Sequence, residues 1–191
     1  MFTLLNEIGI GAIIGIVVAL AVVIGIIAFF ISYYNQFVKL KVKISEAESG
    51  IDVALTKRYD LLTKQKDTVK GYAKHEKETL TEVVAMRSGM TAAEKDIANS
   101  SMNQLQKDIN FLVEKYPDLK ASENFKTLQY SISDVEEHLQ ASRRTFNANV
   151  SLYNRLVLSF PSNIIASIFH FAKIDFFEAE EPKKADVKMD F

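Results

Sequence analysis

Cysteine is absent from all 191 residues, which removes disulfides, thiolate metal sites, a thiol nucleophile and lipidation at cysteine, and suits a reducing compartment. Tryptophan is absent too, and Pro117, Pro161 and Pro182 are the only three prolines. They lie far apart, and since proline breaks helix interiors, long helices fit between them. An excess of one charge is also missing: 23 basic and 24 acidic residues give a net charge of -1. That balance gives no hint of a nucleic-acid partner. The chain has no glycine-rich phosphate loop, no G-x-S-x-G elbow and no acidic pair isolated among apolar residues, so catalysis is not expected. His75-Glu76 starts like a zincin motif, but Thr79 stands where the second histidine belongs. His138 and His170 fall in other segments, so neither a metal nor any other cofactor is expected.

What is present is a long uncharged run. From residue 8 to residue 31 the sequence reads IGIGAIIGIVVALAVVIGIIAFFI. A hydrocarbon core of about 30 Å needs roughly 20 apolar residues in a helix, so residues 8–32 are read as a transmembrane helix and the lipid bilayer as a partner. A cleavable signal would have a basic start, a shorter apolar core and small residues at its end. This run has no Lys or Arg before it and ends in Phe29, Phe30 and Ile31. Basic residues accumulate on the cytoplasmic side, and Lys39, Lys41 and Lys43 follow the run. Residues 1–7 are therefore expected outside and the rest of the chain in the cytoplasm. Tyr33 and Tyr34 fall in the interfacial aromatic belt, and the three lysines meet the headgroups. Gly11, Gly15 and Ala19 form a small-xxx-small face suited to self-association of membrane helices.

Beyond the span, Ile44, Ile51, Leu55, Leu62, Val69, Leu80 and Val83 recur at helical spacing, with Lys57, Arg58, Lys64, Lys66 and Lys70 assigned to a solvated face. No proline or glycine-rich linker separates Phe30 from Ile44. A helix continuous with the anchor is favoured over the extended piece that the alternation Val38, Leu40, Val42, Ile44 also fits. Gly50 and Gly71 either permit close approach or are simply tolerated. The pattern breaks near Arg87 to Met90, and Thr91-Ala92-Ala93-Glu94 has the form of a capping box. A second helix carries Ile97, Leu105, Ile109 and Leu112 to Tyr116-Pro117. A third carries Phe125, Leu128, Ile132, Val135, Leu139, Ser142, Phe146, Asn149, Tyr153 and Leu156 toward Pro161. Three long helices with short connections predict an elongated antiparallel bundle over residues 33–160. The expected class is thus all-α: one transmembrane helix, that bundle and a short C-terminal helix.

That short helix is expected over residues 161–177, rich in phenylalanine. It fits a cap on the bundle, an interfacial helix or a subunit contact. Interfacial helices carry many basic residues and this stretch has only Lys173, which favours the other two readings. Ile164, Ile165, Ile168, Phe169, Phe171, Phe176 and Phe177 are the candidate subunit contacts. The charged tail, 178–191, is expected to be loose.

Several stretches together resemble the LemA family of bacterial membrane proteins: Tyr34-Asn35, Ile51-Asp52-Val53, Thr68-Val69-Lys70-Gly71-Tyr72-Ala73 with His75-Glu76, and Tyr116-Pro117-Asp118-Leu119-Lys120-Ala121. Asn124-Phe125, Ala141-Ser142-Arg143-Arg144, Tyr153-Asn154, Phe160-Pro161-Ser162-Asn163 and Phe176-Phe177-Glu178 continue the likeness. The chain departs from the family at Glu48 and at Leu62-Thr63-Lys64. The resemblance implies a short exterior segment, one membrane helix and a helical cytoplasmic domain at the inner membrane, with no established enzymatic activity. The expected function is a non-enzymatic, self-assembling structural protein that organises or remodels the bacterial inner membrane, with a homo-oligomer and no small-molecule substrate. The alternative is a monomeric adaptor for other membrane proteins.

Overall fold

The computed structural model describes residues 2–72, 80–87 and 89–177. All regular structure among them is helical: α1 (Phe2–Tyr72), α2 (Ala92–Lys115), α3 (Pro117–Ala121), α4 (Glu123–Leu158) and α5 (Ser162–Ile168). Helix α1 runs unbroken through residues 30–44, the continuous helix rather than the extended piece. The chain divides into two units, one of residues 1–44 and 147–191 and one of residues 45–146.

In the second unit the stripe read from sequence is the core. Ile51, Leu55, Leu62 and Val69 of α1 are buried, as are Leu105, Ile109 and Leu112 of α2 and Phe125, Ile132, Val135 and Leu139 of α4. Gly50 fits a close approach, since a Cβ there would lie 3.2 Å from the Ser142 hydroxyl oxygen, whereas Gly71 has open space. Thr91 caps α2: its hydroxyl accepts from the Glu94 N–H, and the Glu94 carboxylate accepts from the Thr91 N–H, closing the reciprocal box. Gly89 precedes it with φ of +80°, a backbone conformation that favours glycine. Helix α2 ends at Tyr116, and Pro117 opens α3 at a position where its missing N–H costs nothing.

Three expectations are corrected. The α1 stripe does not continue as helix to Val83. Helix α1 ends at Tyr72, and residues 80–87 are non-helical although Leu80 is buried. Side chains supply the hydrogen bonds that a helix would have supplied: Asp108 accepts from both the N–H and the hydroxyl of Thr81, and Ser101 accepts from the Val84 N–H. Ile97 points to solvent, and Ala98 and Met102 take the inward positions of α2. Arg58 and Lys66 are buried rather than solvated. Arg58 and Gln65 complete a four-three alternation with Ile51, Leu55, Leu62 and Val69, so geometry turns them inward whatever their polarity.

In the first unit α1 residues 11–28 are exposed throughout. Past them Phe37, Leu40 and Ile44 turn inward, as do Val150 and Tyr153 of α4, and the Phe37 and Tyr153 rings meet edge-on at 5.7 Å. Asn149 is half-buried and donates to the Lys43 carbonyl at 3.3 Å, on the wet margin of the packing rather than within it. Helix α5 is shorter than expected. It ends in a Schellman motif, with the Phe171 N–H on the Ala166 carbonyl and His170 at φ of +55°. Residues 171–177 then leave as a non-helical strap. Residues 73–79, including His75, and the tail 178–191 lie outside the described residues.

Candidate functional site

Each unit holds a built polar arrangement. In the second it surrounds Arg58, 3% exposed. Its guanidinium donates to the side-chain oxygens of Asn99 and Asn103 at 2.6 Å each and pairs with the Glu136 carboxylate. Helices α1, α2 and α4 are thus tied through one side chain. Beside it Lys95 reaches Asp52 at 2.6 Å and Glu48 at 3.4 Å. Burial pushes the Lys95 ammonium down, but the two carboxylates outweigh it and hold its pKa above the ordinary lysine value. Lys66 donates to the Thr81 carbonyl and to Glu82, which lowers the Glu82 pKa. Gln65 is fully buried, and its amide has no hydrogen-bond partner among the described residues. An open cleft of about 470 Å³ on this unit is lined by Asp52, Thr56, Lys57, Asp60 and Arg87 among others.

Asp108 is the hinge pin of the 80–87 segment. Burial raises its pKa, yet the hydrogen bonds from the Thr81 hydroxyl, the Gln104 amide and the Thr81 N–H outweigh that, so the carboxyl sits below its ordinary 3.8. A depressed folded pKa contributes stability above the unfolded value and loses it as pH falls through the folded one. The grip on Thr81 is therefore expected to hold at neutral pH and to release only in acid below 3.8. The Thr81 amide resonance followed on acidification should show that midpoint, and Asp108→Asn should abolish it.

In the first unit the arrangement is a pair of amide clamps on the strap. Asn154 donates to the Ile174 carbonyl at 2.8 Å and accepts from the Ile174 N–H at 3.0 Å. Asn147 treats Phe177 the same way, at 2.9 and 2.8 Å. The spacings match because seven helical residues rise about 10.5 Å while three residues of extended chain cover about 9–10 Å. Aromatic rings fix the strap's start: Phe171 stacks on Phe37 at 4.6 Å, Phe169 lies 4.9 Å from Tyr34, and Lys41 sits over the Phe171 ring.

The residues singled out from sequence are placed as follows. Gly11 and Gly15 have nothing near their Cβ positions and Ala19 is exposed. Lys39, Lys41 and Lys43 are exposed on α1, Tyr34 is exposed and Tyr33 half-buried. Ile165 is fully buried in the single chain, and Phe171 stacks on Phe37. Ile164, Ile168, Phe169 and Phe176 remain exposed. Sequence reasoning missed Arg58, whose signal was its place in the alternation, and Asn147 with Asn154, whose signal was heptad spacing.

Comparison with known proteins gives a family and partial relatives. The sequence model of the LemA family matches residues 47–191. Protein LemA of Metamycoplasma hominis is 28% identical over 158 residues, covering 80% of this chain and 72% of that protein. Magnetosome protein MamQ of Magnetospirillum gryphiswaldense is 30% identical over 71 residues, 37% of this chain and 26% of MamQ. Magnetosome protein MamQ 2 of Paramagnetospirillum magneticum matches to the same extent. This chain thus spans about a quarter of the MamQ proteins.

Proposed function

This chain belongs to the LemA family, and from that premise we propose that it is a non-enzymatic, membrane-anchored structural protein. In this reading it self-assembles and organises or remodels the bacterial inner membrane, with its N-terminus outside and residues 33–177 in the cytoplasm. The observation that carries it is α1, a single helix whose residues 11–28 are apolar and wholly exposed. A surface of that kind has no stable place in water and fits a bilayer. Among the described residues it is the one helix long and apolar enough to cross a membrane. The open face at Gly11, Gly15 and Ala19 supports helix association within the bilayer. The three core stripes of the second unit support an up-down-up bundle as the body that assembles. The shared segment with proteins named for the magnetosome adds to the membrane reading.

The test is the mass of the full-length protein in mild detergent and in lipid particles, by light scattering. A uniform multimer that Gly15→Leu shifts to smaller species is expected. A single chain at every concentration would overturn self-assembly. The alternative, a monomeric adaptor, draws on the open cleft beside Asp52, Asp60, Lys57 and Arg87, and would show itself as one foreign partner in stoichiometric amount.

A further inference from the structure

The first unit exposes a second apolar surface, separate from the anchor. Leu158 and Phe160 at the end of α4, Ile164 and Ile168 of α5, and Phe169 are all exposed, Phe160 by 80%. Large apolar side chains exposed together along one short stretch of chain mark a contact. Its level can be read from the packing. Lys43 is paired with Asn149 and Phe37 with Tyr153, so positions fall along α1 as they rise along α4. Leu158 lies five residues beyond Tyr153, about 7.5 Å closer to the apolar span. That places it beside Tyr33 and Tyr34, immediately after the run that ends at Ile31. The ring contact of Phe169 with Tyr34 at 4.9 Å fixes α5 at the same level independently.

Cations stand just above this surface. Arg155, Lys39 and Lys43 line one cleft of about 390 Å³, and Arg155 and Lys173 line another of about 560 Å³ that also includes Leu158 and Phe176. These basic side chains are exposed and have no ion-pair partner among the described residues, while Asp175 is the one carboxylate on the strap. Within residues 161–177 Lys173 is the only basic residue, which is what argued against an interfacial role from sequence. The fold adds Lys39 and Lys43 from α1 and Arg155 from α4 to that lysine. An apolar base with a basic rim is the layering of an interfacial membrane contact.

We propose that the α4–α5 turn, from Leu158 to Phe169, is a second membrane contact, seated at the headgroup boundary of an anionic bilayer beside the point where α1 emerges. It rests on the reading of α1 as the membrane anchor. The cysteine-free chain makes the test direct. Single variants F160C, I164C, V22C and Y130C of the full-length protein carry a polarity-sensitive fluorophore in vesicles of phosphatidylcholine with about a quarter phosphatidylglycerol, with or without brominated acyl chains. Tyr130 is exposed in the second unit and Val22 lies in the anchor. Quenching by brominated lipid at positions 160 and 164 is expected to approach that at position 22 and to exceed that at position 130 on the order of fivefold. Quenching at 160 no greater than at 130, with position 22 quenched, overturns the second contact and leaves the anchor standing. No quenching at 22 overturns both. A blue-shifted fluorophore at 160 that brominated lipid does not reach, with self-quenching between labelled copies, would assign the surface to a second chain and overturn the lipid occupant.

Discussion

Replacing Arg58 by alanine is expected to destabilise the protein by about 3–5 kcal/mol, the usual cost of removing one partner from a buried, hydrogen-bonded ion pair. The guanidinium is buried and serves three acceptors at once: Asn99, Asn103 and Glu136. Its loss takes a charged donor from the buried Asn99 side-chain oxygen and leaves the partly exposed Glu136 carboxylate without this cation. Lysine should recover little, because a single ammonium cannot reproduce the planar fork that meets three acceptors from two helices. Thermal unfolding of the full-length protein in detergent measures it. A drop in Tm on the order of 10 °C is expected for Arg58→Ala. The double change with Glu136→Gln should cost less than the sum of the single ones, since the two share one interaction. A loss below about 1 kcal/mol would show that water replaces the guanidinium and that the cluster ties nothing together.

The second large effect is expected at the amide clamps. Asn154→Ala removes both hydrogen bonds that hold Ile174, worth about 2 kcal/mol together. Amide exchange at Ile174 should then speed up on the order of 30-fold, since each 1.4 kcal/mol is a factor of ten. Asn147→Ala should speed exchange at Phe177 likewise, and the two together should release both clamped peptide groups while the Phe171 stack on Phe37 persists. Asn149→Ala provides the contrast: its one longer bond goes to a carbonyl already within a helix, so exchange in the strap should stay as it is. Unchanged exchange at Ile174 in the Asn154 variant would mean that the aromatic contacts alone hold the segment.

Where a contact is made by neighbours on one helix face, the sequence states it plainly. The alternation from Phe125 to Tyr153 describes α4, and the Thr91 to Glu94 box marks where α2 begins. The errors at Arg58, Lys66 and Ile97 share one origin, the sorting of residues by type ahead of position. Arg58 and Lys66 were assigned to water because they are charged, and Ile97 to the core because it is apolar, yet burial follows the angle at which each leaves its helix. The 80–87 segment and the strap were illegible for another reason. Their hydrogen bonds go to Asp108, Ser101, Asn147 and Asn154, from 17 to 30 residues away, and no local pattern encodes such partners. The basic rim around α5 was hidden similarly, spread over three segments that only folding brings together.

The two asparagines hold peptide groups, and a peptide group is common to every residue but proline, which lacks the N–H. Ile174 is therefore gripped by Asn154 without regard to what its side chain is. The strap could be rewritten at position 174 and keep both hydrogen bonds to Asn154, provided no proline enters there. At that position the attachment is read from the Asn154 amide, and a strap of different spelling would find the same handhold.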